Sequence, residues 1–157
     1  MTSHAGFRGR PEPDFASGTP LRRGGWYKMD QQNTSEAVLI VEDEPLVRMV
    51  AVDAICECGL PAYEAVDAAD ALGVLRKHPE IALVFTDINL PGSMNGLVLA
   101  ARIHKLWPKI ELIVTSGRER LLDRQLPDHG SFLAKPYGLT QLVELIRKKM
   151  PLTKQPA

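Results

Sequence analysis

Cysteine is scarce: the chain carries two, Cys56 and Cys58. Residues two apart on a helix do not share a face. The pair therefore argues against a disulfide or a shared metal and for ordinary intracellular thiols. Net charge is also lacking, since acidic and basic side chains balance to +0. That leaves no electrostatic case for nucleic acid or an anionic membrane as partner. No apolar run approaches the roughly 20 residues of a membrane span, and no apolar block like that of a signal peptide opens the chain. A cytoplasmic location is the expectation. The four histidines, His4, His78, His104 and His129, are dispersed, with no metal-like spacing to another candidate ligand. There is no Gly-rich nucleotide loop and no internal repeat. What remains, 157 residues with 45% hydrophobic and 24% charged side chains, is one globular domain with some excess.

The excess falls at the N-terminus. Residues 1–35 are rich in Gly, Pro, Ser and Arg and have no periodicity, which predicts a disordered leader. Its arginines are compatible with a basic arm, but a flexible leader is the simpler expectation. Met29 offers a second start, which would make residues 1–28 an artefact of the chosen start codon. Residues 36–150 form the domain and 151–157 a short tail. From Ala37 the pattern alternates. AVLIV (37–41) reads as a strand buried on both faces. Pro45 then opens a helix, with Val47, Val50, Ala51, Ala54 and Cys58 at helical spacing and Gly59 at its end. PAYEAV (61–66), IALVFT (81–86), IELIVTS (110–116) and SFLA (131–134) read as further strands. Helices are predicted over 68–77, with Ala71, Leu72 and Leu75 inward, and over 95–107, with Leu99, Ile103 and Leu106 on one stripe. Trp107 ends that helix and is assigned to packing. A last helix is predicted over 138–149 with Leu139, Leu142, Val143 and Ile146 aligned. Between the fourth and fifth strands, GRERLLDRQLPDHG supports only a short or irregular fourth helix before Pro127. Strands and helices alternating at this spacing imply an α/β fold with a parallel sheet covered on both faces.

The C-terminal tips of the strands collect the chemistry. The first ends in Glu42 and Asp43, the third in Asp87, the fourth in Ser116, and the fifth is followed at once by Lys135. In an open parallel α/β sheet these tips share one edge, where ligands bind. Each residue alone has a plainer explanation. Asp87, Glu42 and Asp43 are ordinary helix caps or turn residues, Ser116 a turn residue before Gly117, and Lys135 a solvated charge. Together they suggest more. Carboxylates brought close repel unless a cation joins them, and hard oxygen ligands without His or Cys favour Mg²⁺. A lysine and a hydroxyl opposite suit an incoming phosphoryl group. A carboxylate can also be the nucleophile and form an aspartyl phosphate.

The segments VLIVEDEP, VFTDINLPG, IVTSG and FLAKPY, in that order, resemble the signature segments of the receiver domain of two-component response regulators. The resemblance runs from Val38 to Met150 and is closest to the stand-alone type, like the chemotaxis response regulator. It implies a doubly wound, flavodoxin-like five-stranded parallel sheet in the order 2-1-3-4-5, with helices on both faces. It implies that Asp87 is the phosphoacceptor and that Asp43, Asp87 and the backbone carbonyl of Asn89 bind Mg²⁺, with Glu42 acting through water. Ser116 would bond a phosphoryl oxygen, Lys135 would pair with the phosphoryl group, and Ser116 and Phe132 would act as the switch. The Lys135-Pro136 step matches one that is cis in the family. The donor would be a histidine kinase or histidine phosphotransfer protein, with an unknown protein partner downstream. The chain would be a monomer or weak dimer, and not an enzyme beyond hydrolysing its own phosphoryl group. Only PLTKQPA follows the last helix, which suggests a single-domain regulator.

Some residues depart from the family pattern. Glu42 replaces the commoner Asp and Ser116 the commoner Thr. The loop DINLPGSMNG is one residue longer than usual, and Asn95 stands where an aspartate is common. The stretch from Arg118 to Gly130 is shorter than usual and contains Pro127, so the output surface should differ most here. Arg118 either alters access of the hydrolytic water or points to solvent. Two rival classes are a phosphorylation-independent, degenerate receiver and a phosphatase of the haloacid dehalogenase type. The intact set of Asp43, Asp87, Ser116 and Lys135 argues against the first. The second needs an Asp-x-Asp segment after the first strand, where this chain has EDE, and a cap domain.

Overall fold

The computed structural model describes residues 36–127 and 130–151. The expected leader at 1–35 and most of the tail lie outside the described residues. Five strands, β1 (Ala37–Val41), β2 (Ala62–Ala65), β3 (Ile81–Asp87), β4 (Glu111–Ser116) and β5 (Ser131–Ala134), pair in parallel in the order β2-β1-β3-β4-β5. This is the doubly wound order expected from the sequence, with the chain reversing direction across the sheet at β1 and β3. Four α-helices cover it: α1 (Pro45–Glu57), α2 (Ala68–Lys77), α3 (Gly96–Leu106) and α4 (Leu139–Lys149).

The two-residue side-chain period of a strand splits the central apolar runs between two layers. Val38 and Ile40 of β1, with Leu83 and Phe85 of β3, pack against Val52 and Ile55 of α1 and against Leu142 and Ile146 of α4. Leu39 and Val41, with Val84 of β3 and Val114 of β4, face Leu72 and Leu75 of α2 and Leu99 and Ile103 of α3. Burial on both sides explains why these strands read as continuous apolar runs.

Helix ends follow local chemistry. Pro45 starts α1, where its missing N–H costs nothing. Gly59, at φ +83°, takes the left-handed position just past its end. Asp67 caps α2 by accepting the Asp70 N–H at 2.8 Å, while the Asp70 carboxylate accepts the Val66 N–H at 3.0 Å. Replacing Asp67 with alanine should cost about 1 kcal/mol. A urea midpoint that does not move would show the cap to be idle.

Three expectations need correction. In α1 the buried residues are Ala51, Val52, Ala54 and Ile55; Val50 is 45% exposed and Val47 only partly covered. The first half of α1 is apolar nearly all round, so periodicity alone could not choose the inward face. Leu106 is 53% exposed, because α3 ends there and Trp107, half-buried, packs in its place. In α4, Leu142 and Ile146 are buried, whereas Leu139 is exposed and Val143 half-buried. Between β4 and β5 the described residues contain no α-helix, but a 3-10 turn at Asp123–Gln125 and 3-10 backbone again at Pro127. The expectation of a short or irregular element was right. All four β5 residues are only half-buried, as befits an edge strand with so little above it.

Candidate functional site

The carboxyl ends of β1, β3, β4 and β5 converge as the sequence predicted. Asp87 closes β3 and is 6% exposed. The Asn89 N–H donates to its Oδ1 at 3.0 Å, and the Thr86 hydroxyl donates to its backbone carbonyl at 2.9 Å. Lys135, just beyond β5, reaches across the sheet edge. Its Nζ lies 2.7 Å from Asp87 Oδ2 and 2.9 Å from Glu42 Oε2. The Lys135-Pro136 bond is cis, as the resemblance implied, and the Lys135 N–H donates to the Ser116 carbonyl at 2.9 Å.

Glu42 is 4% exposed. Its Oε1 accepts the Glu44 N–H at 3.2 Å, and its backbone carbonyl accepts Arg48 Nη1 at 2.7 Å. Arg48 is held in turn by Glu64 at 3.0 Å. Burial pushes the Glu42 carboxyl above its ordinary range, against the opposing pull of Lys135. Burial also works against the Lys135 charge, but its hydrogen bonds to Asp87 and Glu42 prevail and hold it above the ordinary lysine range. Asp43 is exposed, and one carboxylate oxygen from each of Glu42, Asp43 and Asp87 lies within 4.8 Å of the others. It is the one such grouping of possible metal ligands among the described residues, and no histidine or cysteine belongs to it. A single ammonium cannot balance this crowd of carboxylates, and all-oxygen donors suit a hard divalent cation.

Ser116, fully buried at the tip of β4, is tied into a small network. Its Oγ accepts the N–H groups of Arg118 at 3.1 Å and Glu119 at 3.2 Å. Its hydroxyl bonds the Glu119 carboxylate. The Asn89 side-chain amide lies 3.3 Å from both Ser116 Oγ and Glu119 Oε2. The hydroxyl bond from Ser116 is the main reason the Glu119 carboxyl is held below its ordinary range.

Two further expectations can be placed. Arg118 is exposed, and its backbone N–H donates to Ser116 Oγ, while its charge helps to hold the Glu119 carboxyl low. Phe132 is half-buried on the α2/α3 side of the sheet, and its N–H donates to Asp123 Oδ1 at 2.8 Å. Sequence reasoning missed Glu119, although Ser-x-x-Glu is the spacing at which a hydroxyl, a backbone N–H and a carboxylate close on one another. It also missed Gly96. A Cβ there would sit 1.9 Å from the Asp87 carbonyl oxygen.

A doubly wound parallel sheet whose strand tips gather an acidic cluster and a lysine defines a flavodoxin-like domain with its site at the carboxyl edge. The chain belongs to the response regulator receiver domain family, whose model matches residues 38–147. It is 34% identical over 120 residues to the sensor kinase CckA of Brucella abortus, an alignment covering 74% of this chain but only 13% of that protein. Over 129 residues it is 26% identical to protein PilG of Pseudomonas aeruginosa, covering 78% of this chain and 93% of that one. The crystal structure of the receiver domain of NtrX from Brucella abortus superposes with a TM-score of 0.66 at 27% identity, covering 74% of this chain and 99% of that one. No helix among the described residues is long and apolar enough to cross a membrane.

Proposed function

We propose that this receiver accepts a phosphoryl group on Asp87 from a phosphohistidine of a histidine kinase or phosphotransfer protein, as a single-domain, cytoplasmic response regulator. The observation that carries the reading is Asp87 itself, a buried carboxylate at a strand tip, held by Lys135 at 2.7 Å inside the acidic cluster. In the transfer, an Asp87 oxygen forms the new P–O bond as the P–N bond of the donor breaks. The bond's electron pair leaves with the donor imidazole, which takes up a proton. Lys135 is placed to hold a phosphoryl oxygen, because its ammonium already sits on the attacked side chain. Ser116 supplies a hydroxyl from the neighbouring strand. Asp43, Asp87 and the backbone carbonyl of Asn89, a residue fixed beside Asp87 through its N–H, would hold Mg²⁺, with Glu42 acting through water. When Mg²⁺ is held there it neutralises charge on the phosphoryl oxygens. The phosphorylated site then biases the β4–β5 side of the domain toward a different partner-binding form. Hydrolysis of its own acyl phosphate is the one turnover proposed.

Incubation with labelled phosphoramidate and Mg²⁺ tests this. The expected product carries label that hydroxylamine and alkali remove, as for an acyl phosphate. Chelating the metal should slow labelling at least about tenfold. Label that survives hydroxylamine, or forms equally fast with chelator, would sink the proposal.

A further inference from the structure

We propose that Glu119 is a positioning residue that latches Ser116 away from the phosphoryl site, so that phosphorylation of Asp87 must break the Ser116–Glu119 bond before the switch hydroxyl can act. The inference deepens the function proposed above and rests on it.

A serine hydroxyl has one proton to donate and two lone pairs to accept with. In this structure the lone pairs face the N–H groups of Arg118 and Glu119, with the Asn89 amide also within 3.3 Å. The proton is committed to the Glu119 carboxylate. Ser116 therefore has no proton left for a phosphoryl oxygen while this contact lasts. Asn89 spans the two positions: its backbone N–H grips Asp87 and its side-chain amide reaches Glu119. The carboxylate thus occupies, with Ser116 and Asn89, the partners that an anionic group on Asp87 would want.

A phosphoryl group brings about −1.5 to −2 charges at neutral pH. Placed on Asp87, it competes for the Ser116 proton and repels the Glu119 carboxylate through the shared Asn89. Both effects favour release of Glu119. The residues after it resist little, since the path to β5 holds short 3-10 structure and no α-helix among the described residues. Leu121 and Leu126 are its apolar attachments to the core. The latched and released forms are then two states of one short segment. Affinity for a phosphoryl mimic falls in proportion to the latched fraction.

A purely local role, in which Glu119 simply closes a Ser-x-x-Glu turn, makes a different prediction. It would leave affinity for the mimic unchanged or weaken it when Glu119 is lost. The experiment measures Mg²⁺-dependent beryllofluoride binding to the full chain by calorimetry, for the wild type, Glu119→Ala, Glu119→Gln, Ser116→Ala and the Ser116→Ala/Glu119→Ala pair. Glu119→Ala should bind about tenfold more tightly, the size expected when a hydrogen bond to a charged group is lost from the competing state. Glu119→Gln, which keeps an acceptor but not the charge, should gain less. On a Ser116→Ala background the Glu119 substitution should gain only the part due to charge repulsion, several-fold less than on the wild type. Backbone amide resonances of residues 117–122 in unliganded Glu119→Ala should move toward their positions in the beryllofluoride-bound wild type. Equal or weaker binding by Glu119→Ala overturns the latch, as does a gain of undiminished size without Ser116, since charge alone would then explain it. If the wild type itself binds no beryllofluoride with Mg²⁺, the acceptor reading falls first and the latch with it.

Discussion

Replacing Asp87 with asparagine should bring phosphoryl labelling to background, at least about a hundredfold below the wild type, because the change removes the attacking oxygen. The fold should stand. The asparagine Oδ1 can still accept the Asn89 N–H that now bonds Asp87. The amide also relieves a site in which three carboxylate oxygens lie within 4.8 Å of one another. With Oδ1 so engaged, its Nδ2 stands where the oxygen now accepting from Lys135 is and cannot accept, so Lys135 keeps Glu42 as its partner at 2.9 Å. A urea midpoint equal to or above that of the wild type, together with absent label, is the expected pair of results. Label persisting in the variant would move the acceptor to another side chain, with exposed Asp43 the nearest candidate.

The second large effect concerns a residue with no reactive group. Gly96→Ala should destabilise the domain by at least about 3 kcal/mol, in the range where backbone must move. A Cβ at Gly96 would stand 1.9 Å from the Asp87 carbonyl oxygen, 2.7 Å from its carbon and 2.8 Å from the Ile88 Cα. All three are backbone atoms, so no rotamer change relieves the clash. The tightness has a structural source: α3 begins against the end of β3, and the Gly96 N–H donates to the Ile88 carbonyl at 2.8 Å. The methyl would push on Asp87, the proposed phosphoacceptor, so labelling should fall along with stability. Gly92 is the natural control. A Cβ there would meet nothing within 4 Å, and only its φ of +91° stands against substitution. Gly92→Ala should cost about 1 kcal/mol and leave labelling near the wild-type rate. Equal midpoints for the two variants would refute the close-approach account.

Much of this architecture could be read from the residues alone, for identifiable reasons. Strands β1, β3 and β4 are buried on both faces, so their apolar runs are unbroken and their ends abrupt. Helix α2 is legible at 68–77 because Ala71, Leu72 and Leu75 fall on one narrow apolar stripe, and all three are buried. The site followed from topology, since a parallel sheet fixes which ends of its strands are neighbours. The α1 face was misjudged because Leu46, Val47, Met49 and Val50 are apolar on several sides of one helix, and burial is decided by which strands lie beneath. Glu119 escaped because it lies in a segment without periodicity. Gly96 escaped because close backbone approach leaves no trace in composition.

The contact between Asp123 and the Phe132 N–H has a bearing on self-association. Among the described residues strand β5 has a strand partner on one side only, β4, so its other rim carries donors that a second chain could pair with. A carboxylate already seated on one of those donors fills a rung of the ladder and sets a negative charge beside the rest. Sheet-to-sheet growth along this rim is thereby discouraged. With no α-helix among the described residues between β4 and β5, the rim keeps a guard in the form of a single side chain.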